Sequence, residues 1–256
     1  MLRSDLNAIY VVVAREFIKF VRERGRLIST LARPLIWLFL VGGGMSRMVS
    51  PDMGMPYMQF IFPGIIGMTI LFSSIFSSIS IIWDKEFGFM KEMLVAPVSR
   101  FSIVVGKALS GTVVSTLQAL IILLLFPVIG FKLGIVQILL ILGISILLSF
   151  CISSLGILIA SFYENFESFS VIMNFIVMPM FFLSGAMYPV KLLPPLLGLF
   201  TRINPLTYGI DALKYMVFPE KKLLTHDFPL GLDIAVIAVA SVVFVVIAGN
   251  VFEKRK

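Results

Sequence analysis

Residues 57–100 read YMQFIFPGIIGMTILFSSIFSSISIIWDKEFGFMKEMLVAPVSR, and two contrasting segments meet within them. The first, residues 57–82, contains no charged residue and exceeds the ~20 apolar residues that a membrane-spanning helix needs. The second, residues 83–100, carries two Lys, two Glu, one Asp and one Arg. This change predicts a helix that crosses a membrane, followed by a short segment that lies in water beside it.

The composition of the whole chain is typical of an all-α integral membrane protein. Of its 256 residues, 59% are hydrophobic and 14% are charged, whereas soluble domains are about 45–50% apolar and about 25% charged. The apolar runs are continuous rather than alternating, so they predict helices and not the strands of a barrel. We expect a single transmembrane domain, 1–256, with six spans at residues 27–45, 57–82, 103–129, 135–162, 168–187 and 231–252.

The basic residues indicate the orientation of these spans. The net charge is +7, but Lys and Arg lie between the apolar runs and form no single patch, which argues against nucleic acid as a partner. Most of the 21 Lys and Arg residues fall in segments on the side of the N-terminus, and such residues mark the cytoplasmic side. We therefore expect a multi-pass protein of the plasma or inner membrane with both termini in the cytoplasm.

Residues 1–26 are predicted to form an amphipathic helix in the membrane interface. They lack the apolar core and the small-residue cleavage site of a signal peptide. Arg15, Lys19 and Arg22 lie on one face, where they would contact anionic lipid head groups. A helix packed on another protein surface is the alternative. The apolar face, at helical spacing, comprises Leu6, Tyr10, Val13, Phe17 and Phe20.

Residues 183–218, between the fifth and sixth predicted spans, are apolar but broken by prolines and glycines. They are too interrupted for a regular span and too apolar for a free loop. Broken backbone at membrane depth must be buried in protein or line a cavity, so we predict two short re-entrant helices in the outer leaflet. A proline-rich lid on the outer surface is the alternative. Asn204 precedes Pro205 and is expected to bond the backbone locally and hold a turn.

The sequence carries no sign of catalysis. It has no HExxH, GxSxG or spaced Gly-Lys-Ser/Thr phosphate loop, and its single Cys151 and single His226 cannot build a metal site. No predicted span has Asp or Glu at its centre, which argues against coupling to an ion gradient. We expect a protein that is not an enzyme, binds no cofactor or metal, and takes energy from another subunit.

Residues 83–98 are predicted to form one short amphipathic helix, ended by Pro97. Phe89 would lie near its charged face. An exposed aromatic side chain among charges of both signs is typical of a docking surface, because the ring fills a pocket while the charges set the register. An ordinary interfacial loop helix is the alternative. The apolar stripe that would face the bundle consists of Trp83, Phe87, Met90 and Leu94.

This segment resembles the loop after the second span in ABC-2-type permeases, the membrane subunits of type V ABC exporters. The residues that carry the resemblance are Asp84, Lys85, Glu86, Gly88, Glu92, Leu94, Pro97, Ser99, Arg100, Gly106 and Lys107. A second block, LSGAMYPVKLLPP at 183–195 with INPLTYGIDALKY at 203–215, is similar to the family signature between the fifth and sixth spans. The proline-rich outer segment resembles the drug-resistance branch more than the polysaccharide branch.

The resemblance implies a half-channel. Two permease chains would pair as a homodimer around a translocation path, and two separate ATP-binding subunits, which bind ATP and Mg²⁺, would dock beneath them. The residues that would couple to the ATPase are Asp84, Lys85, Glu86, Gly88, Phe89, Lys91, Glu92 and Leu94. The residues that would line the path or its outer gate are Trp37, Phe72, Phe76, Gly185, Tyr188, Pro189, Asn204 and Pro205.

The expected substrate is hydrophobic or amphipathic, such as a drug or a lipid-like molecule. Export of a lipid-linked polysaccharide or glycoconjugate is an alternative within the family, and the aromatic residues assigned to the path would alternatively face lipid or pack within the bundle. An ion-gradient carrier would need an ionisable group at membrane depth. A membrane scaffold without its own path would not stimulate an ATPase, and an ATPase encoded by the neighbouring gene would favour the exporter.

Overall fold

The computed structural model describes residues 2–46, 55–95, 98–218 and 226–254, and every regular element in these ranges is helical. Helix α2 continues as a π-helix over Trp37–Gly42, and a 3-10 turn at Val190–Leu192 precedes α8. The α-helices are α1 (Leu2–Arg22), α2 (Arg24–Ile36), α3 (Tyr57–Glu86), α4 (Phe89–Val95), α5 (Arg100–Leu123), α6 (Ile135–Phe162), α7 (Phe166–Phe182), α8 (Pro195–Ile203), α9 (Pro205–Val217) and α10 (Leu230–Lys254).

Helix α3 lies at the centre of the bundle and is buried over nearly its whole length. Helices α5 and α6 pack along it, and α10 packs against α6. Small residues make this contact close, since a Cβ added at Gly111 of α5 would lie 2.7 Å from Ser153 Oγ of α6. Lipid tails are as apolar as the side chains, so close packing rather than escape from water holds such helices together.

Five helical segments in the described residues are long and apolar enough to cross a membrane: Ile28–Ser46, Tyr57–Glu86, Arg100–Leu123, Ile135–Phe162 and Leu230–Phe252. They correspond to five of the six predicted spans. The remaining predicted run, 168–187, overlaps α7, an apolar helix of 17 residues, which is at the short limit for a span. The predicted run 103–129 is helical only to Leu123, because Pro127 and Gly130 (φ +89°) lie in the turns that follow.

The bundle has two ends with different contents. The α1 end carries α1, α4 and the last turns of α3, α6 and α10, and there Arg100 Nη1 donates to the carbonyl of Phe252 at 3.2 Å. The α9 end carries α8, α9 and the first turns of α3 and α6. There Tyr57 Oη donates to the carbonyl of Met187 at 3.0 Å. The predicted coupling segment and the predicted outer segment thus lie at opposite ends.

Helix α1 packs on α5. Gly106 allows the close approach, because a Cβ there would lie 3.1 Å from the Cβ of Val12. The chain breaks at Glu23, so residues 1–26 do not form one helix. The predicted apolar face is also divided, since Phe20 is buried while other members face outward. The exposed members are Leu6, Tyr10 and Phe17.

The predicted helix over 83–98 is divided in two. Helix α3 runs on to Glu86, the chain turns at Phe87 and Gly88, and α4 begins at Phe89. Gly88 has φ +82°, a backbone conformation that costs other residues about 1–2 kcal/mol. Phe87 is consequently 71% exposed and does not join a stripe that faces the bundle. Residues 96–97 lie outside the described residues.

Two short helices, α8 and α9, occupy most of residues 183–218, and Asn204 separates them. Its Oδ1 accepts from the backbone N–H of Leu206 at 3.1 Å and caps α9, while its Nδ2 donates to the carbonyl of Met180 at 2.7 Å. Helix α9 is buried almost throughout. Helix α8 instead exposes apolar side chains, which are Leu196, Leu199, Phe200 and Ile203.

We expect Asn204→Ala to lower the thermal unfolding midpoint of the purified protein in nanodiscs. The change removes a helix cap and a hydrogen bond between α9 and α7, each worth about 1 kcal/mol. Asn204→Ser keeps a capping oxygen and should lose about half as much. Asn165→Ala, which removes only the cap of α7 at Ser168, is the control. A loss for Asn204→Ala no larger than for this control would contradict the double role.

Candidate functional site

A buried cluster of charged side chains joins three helices at the α1 end. Lys107 of α5 is 4% exposed. Its Nζ donates to Asp84 Oδ2 of α3 at 2.5 Å and to Glu16 Oε1 of α1 at 2.7 Å. A third hydrogen bond reaches Ser80 Oγ of α3 at 3.1 Å. All three hydrogens of the ammonium group are therefore used.

The cluster is electrically balanced. Arg15 Nη2 lies 2.6 Å from Asp84 Oδ1 and 3.7 Å from Glu16 Oε1, so two carboxylates face two cations. Removing charges from water is costly, and the cost is offset only where the partners and hydrogen bonds are complete. These contacts therefore fix α1 against the last turn of α3 and the first turns of α5.

Lys85 fastens the end of α3 to the end of α6. Its Nζ donates to the carbonyl oxygens of Ala160, Ser161 and Tyr163 at 2.9, 3.1 and 2.8 Å, respectively. The last carbonyls of a helix have no partner within it and carry partial negative charge, which suits an ammonium group. Asp84 and Lys85 thus act in different directions from one turn of α3.

The predicted ATPase-coupling residues divide into an anchoring group and an exposed group. Asp84 and Lys85 make their contacts inside the chain, as described above, and Gly88 forms the turn. The side chains of Lys91 and Leu94 lie outside the described residues. Met90 is buried and attaches α4 to the bundle. We name the exposed surface formed by Glu86, Phe87, Phe89, Glu92 and Val95 the α4 face.

An aromatic cleft opens between α2, α3 and α7. It consists of a cavity of about 310 Å³ and an adjoining one of about 110 Å³, which share Arg33, Phe72, Phe76 and Phe166. Phe72 and Phe76, two predicted path residues, therefore lie together in its wall. Trp37, the third, packs edge-on against Phe181 and Phe182 instead, with ring centroids 5.9 and 6.2 Å away.

The predicted gate residues hold the turns between α7 and α9. Gly185 has φ +73°, and its carbonyl accepts from Lys214 Nζ at 2.7 Å. Tyr188 Oη donates to the carbonyl of Phe182. Pro189 precedes the 3-10 turn. Pro205 occupies the first position of α9, where a helix needs no N–H donor.

Asp211 and Lys214 of α9 are buried residues that the sequence analysis missed. Asp211 accepts hydrogen bonds from the backbone N–H groups of Asp227 and Phe228 at 3.0 and 2.8 Å, which holds the chain that leads into α10. Lys214 holds Gly185 after α7. An acid and a base in an otherwise apolar helix are a sequence signal for buried hydrogen-bond partners, because ionisable groups in apolar surroundings need them.

His226 lies buried near the start of α10. Its ring stacks on Tyr215 with centroids 3.7 Å apart, and its Nε2 is 3.2 Å from the carbonyl oxygen of Phe218. Burial lowers the pKa of His226 below its ordinary value, so the ring is neutral at pH 7. Within the described ranges, no group of three or more His, Cys, Asp or Glu is arranged to hold a metal ion.

The sequence pattern of the family described as ABC-2 type transporter matches residues 7–218, which include both the charged cluster and α9. The chain belongs to this family. It is 32% identical to the putative transport permease ycf38 of Cyanophora paradoxa over 82% of this chain and 74% of that protein. It is 28% identical to the inner membrane transport permease YadH of Escherichia coli (strain K12) over 97% of this chain and 96% of that protein.

Nodulation protein J of Rhizobium meliloti (strain 1021) is a further relative, 27% identical over 73% of this chain and 72% of that protein. The ABC-2 family and these permeases place the chain among transport permeases, which are non-catalytic membrane subunits. Its apolar helices are those of a multi-pass membrane protein. Permeases of this family usually pair with an ATP-binding subunit.

We expect Lys107→Met to destabilise the permease strongly, by about 3–5 kcal/mol, because it leaves Asp84 and Glu16 buried without their shared cation. Arg15→Gln, at the exposed edge of the same cluster, should cost less than about 1 kcal/mol. Denaturant titration in mild detergent, followed by tryptophan fluorescence, compares the two variants. Equal losses would show that the buried ammonium has no special role.

Proposed function

We propose that this chain is the permease subunit of an ATP-driven exporter, forms the translocation path as a homodimer, and couples to two separate ATP-binding subunits. Those subunits hold ATP and Mg²⁺. The observation that carries the proposal is the α4 face, where Phe89 is 51% exposed beside Glu92 on a helix of seven residues. An exposed ring among charges matches a docking element, since the ring enters a pocket and the charges set its register.

The anchoring of α3 explains how a force on α4 would reach the membrane. Asp84 and Lys85 tie the last turn of α3 to α1, α5 and α6, so four helices end in one connected block. Gly88 forms the turn between this block and α4, and Met90 packs α4 against the bundle. An ATP-binding subunit that moved α4 would therefore displace the ends of all four helices together.

We place the α1 end in the cytoplasm and take α7 as the fifth of six spans. A helix of 17 residues is about 25 Å long, at the short end of the range that crosses the ~30 Å of a bilayer core. Six spans return the chain to its starting side, which fits the contact of Arg100 with Phe252 at the end of α10. The basic residues of α1 favour the cytoplasmic face of a plasma or inner membrane.

Helices α8 and α9 would then re-enter the outer leaflet and close the outer end of the path between paired chains. Helix α9 is fixed by Asn204, Asp211 and Lys214, whereas α8 offers an apolar surface without a described partner segment over most of its length. The substrate is hydrophobic or amphipathic, because the cleft that holds Phe72 and Phe76 is mainly aromatic and aliphatic. A drug or a lipid-like molecule fits this description.

We expect Phe89→Ala and Glu92→Lys to leave the permease folded but to weaken its complex with the ATP-binding subunit. Losing a docking anchor costs about 2 kcal/mol, a roughly 30-fold loss in affinity. Transport-coupled ATP hydrolysis in proteoliposomes should fall accordingly. Phe175→Ala, which alters an exposed ring (79%) on α7 away from the α4 face, is the matched control. Full coupling in both α4 variants would remove the basis of the proposal.

The orientation is tested with single cysteines in a Cys151→Ser background. Asn7→Cys on α1 should react only with a membrane-permeant thiol reagent in intact cells. Lys132→Cys, in the exposed turn before α6 at the α9 end, should also react with an impermeant reagent. Labelling of Asn7→Cys from outside would reverse the orientation and place the α4 face away from any cytoplasmic ATPase.

A further inference from the structure

The aromatic cleft contains a single type of charge. Among the described residues that line its two cavities, Arg33 is the one with an ionisable side chain. The remaining lining is aromatic or aliphatic, apart from the hydroxyl groups of Ser29, Thr30 and Ser170 and the amide of Asn174. A ligand that enters this space therefore meets apolar walls and one positive group.

Arg33 lies in the wall that the two cavities share. Its guanidinium carbon lies 4.2 Å from the centroid of the Phe72 ring, on the central helix α3. An arginine that served only to anchor a span would point outward along the lipid surface. No carboxylate in the described part of the chain pairs with Arg33, in contrast to Arg15 and Lys107. Its side chain is exposed, so its hydrogen-bond donors are open to a ligand.

Arg33 lies where the two cavities meet, over the ring of Phe72. Trp83, near the end of α3, lines the mouth of one of them at the α1 end. Lys19 Nζ lies 4.6 Å from the Trp83 ring and adds positive potential at this mouth. From there the wall continues to Met173 and Asn174, in the middle of α7. The cleft thus has a positive mouth at the α1 end, the Arg33 cation between its two cavities and mainly apolar walls elsewhere.

We propose that this cleft binds the exported substrate as an amphiphile with an acidic head group, a phosphate or a carboxylate. The head group pairs with the Arg33 guanidinium, whose planar donors suit such oxygens, and the apolar part lies against Phe72, Phe76 and Phe166. A cationic amphiphile of the same size is disfavoured, because its charge would face the like charge of Arg33. The inference rests on the proposed export function and assigns the sign of its substrate.

The test is a binding titration on the permease in nanodiscs of zwitterionic phosphatidylcholine. The probes are 11-(dansylamino)undecanoic acid and its neutral methylamide, which share one apolar body. We expect the acid to bind at least about tenfold more tightly than the amide. Dodecyl phosphate should displace the acid, whereas dodecyltrimethylammonium should not. Equal affinity for acid and amide, or equal displacement by both competitors, would overturn the proposal.

Substitutions at Arg33 and Phe76 locate the effect. Arg33→Gln should abolish the preference for the acid, and Arg33→Lys should retain part of it. The charge-matched control is Arg22→Gln, on the exposed surface of α1. Phe76→Ala keeps the charge and should weaken acid and amide by a similar factor, which gives a second readout should the Arg33 variants fold poorly. If Arg33→Gln still preferred the acid, the site would lie elsewhere. The same conclusion would follow if Phe76→Ala bound both probes with undiminished affinity.

This titration is independent of the ATP-binding subunit. A permease whose α4 variants lose coupling, but which binds acid and amide equally, would remain an exporter and lose this substrate class. A permease that prefers the acid through Arg33, but whose α4 variants stay fully coupled, would keep the binding site and lose the docking assignment.

Discussion

The buried ammonium group of Lys107 sets how the α1 end of the molecule is built. It depends on Asp84 and Glu16, which come from two other helices. If either carboxylate moved away, a charge would remain buried without its partner, at a cost of several kcal/mol. Charge therefore helps to fix helix α1, together with its close packing on α5 at Gly106, while Leu6, Tyr10 and Phe17 are left exposed on it. Those residues are free to meet lipid.

The same constraint divides the charged segment that follows α3. Asp84 and Lys85 reach their partners only if α3 stays helical through its last turn, so the chain turns after Glu86. Gly88 is the residue there that tolerates a left-handed backbone, and α4 starts directly after it. Residues 84–85 thus anchor, while Phe87, Phe89 and Glu92 are displayed. The same charged segment therefore anchors α3 through side chains that bond within the bundle and presents other side chains on its exposed surface.

The apolar runs allowed five of the spans to be predicted within a few residues, because a long stretch without charge is a local property of the sequence. The end of α3 was placed too early, since Asp84 and Lys85 read as exposed when their partners are unknown. Those partners, Glu16, Lys107 and the carbonyls at 160–163, are distant in sequence. Gly88 was a local signal for a break in the helix. The helical spacing of the apolar residues nevertheless led to the prediction of one continuous helix over 83–98. The resemblance to the family grouped these residues as coupling residues without revealing which of them face inward.

Helix α3 carries both the wall of the cleft and the buried charged cluster. Phe76 and Asp84 are eight residues apart on one helix, about 12 Å along its axis. A buried helix behaves as a stiff rod over that distance, so a displacement of its anchored end moves the cleft wall with it. Arg33 belongs to a different helix, α2, and its guanidinium lies over the ring of Phe72 on α3. A shift of α3 driven from α4 would therefore change the distance between the aromatic wall and the Arg33 cation. Such a change would alter the affinity for an acidic amphiphile that contacts both.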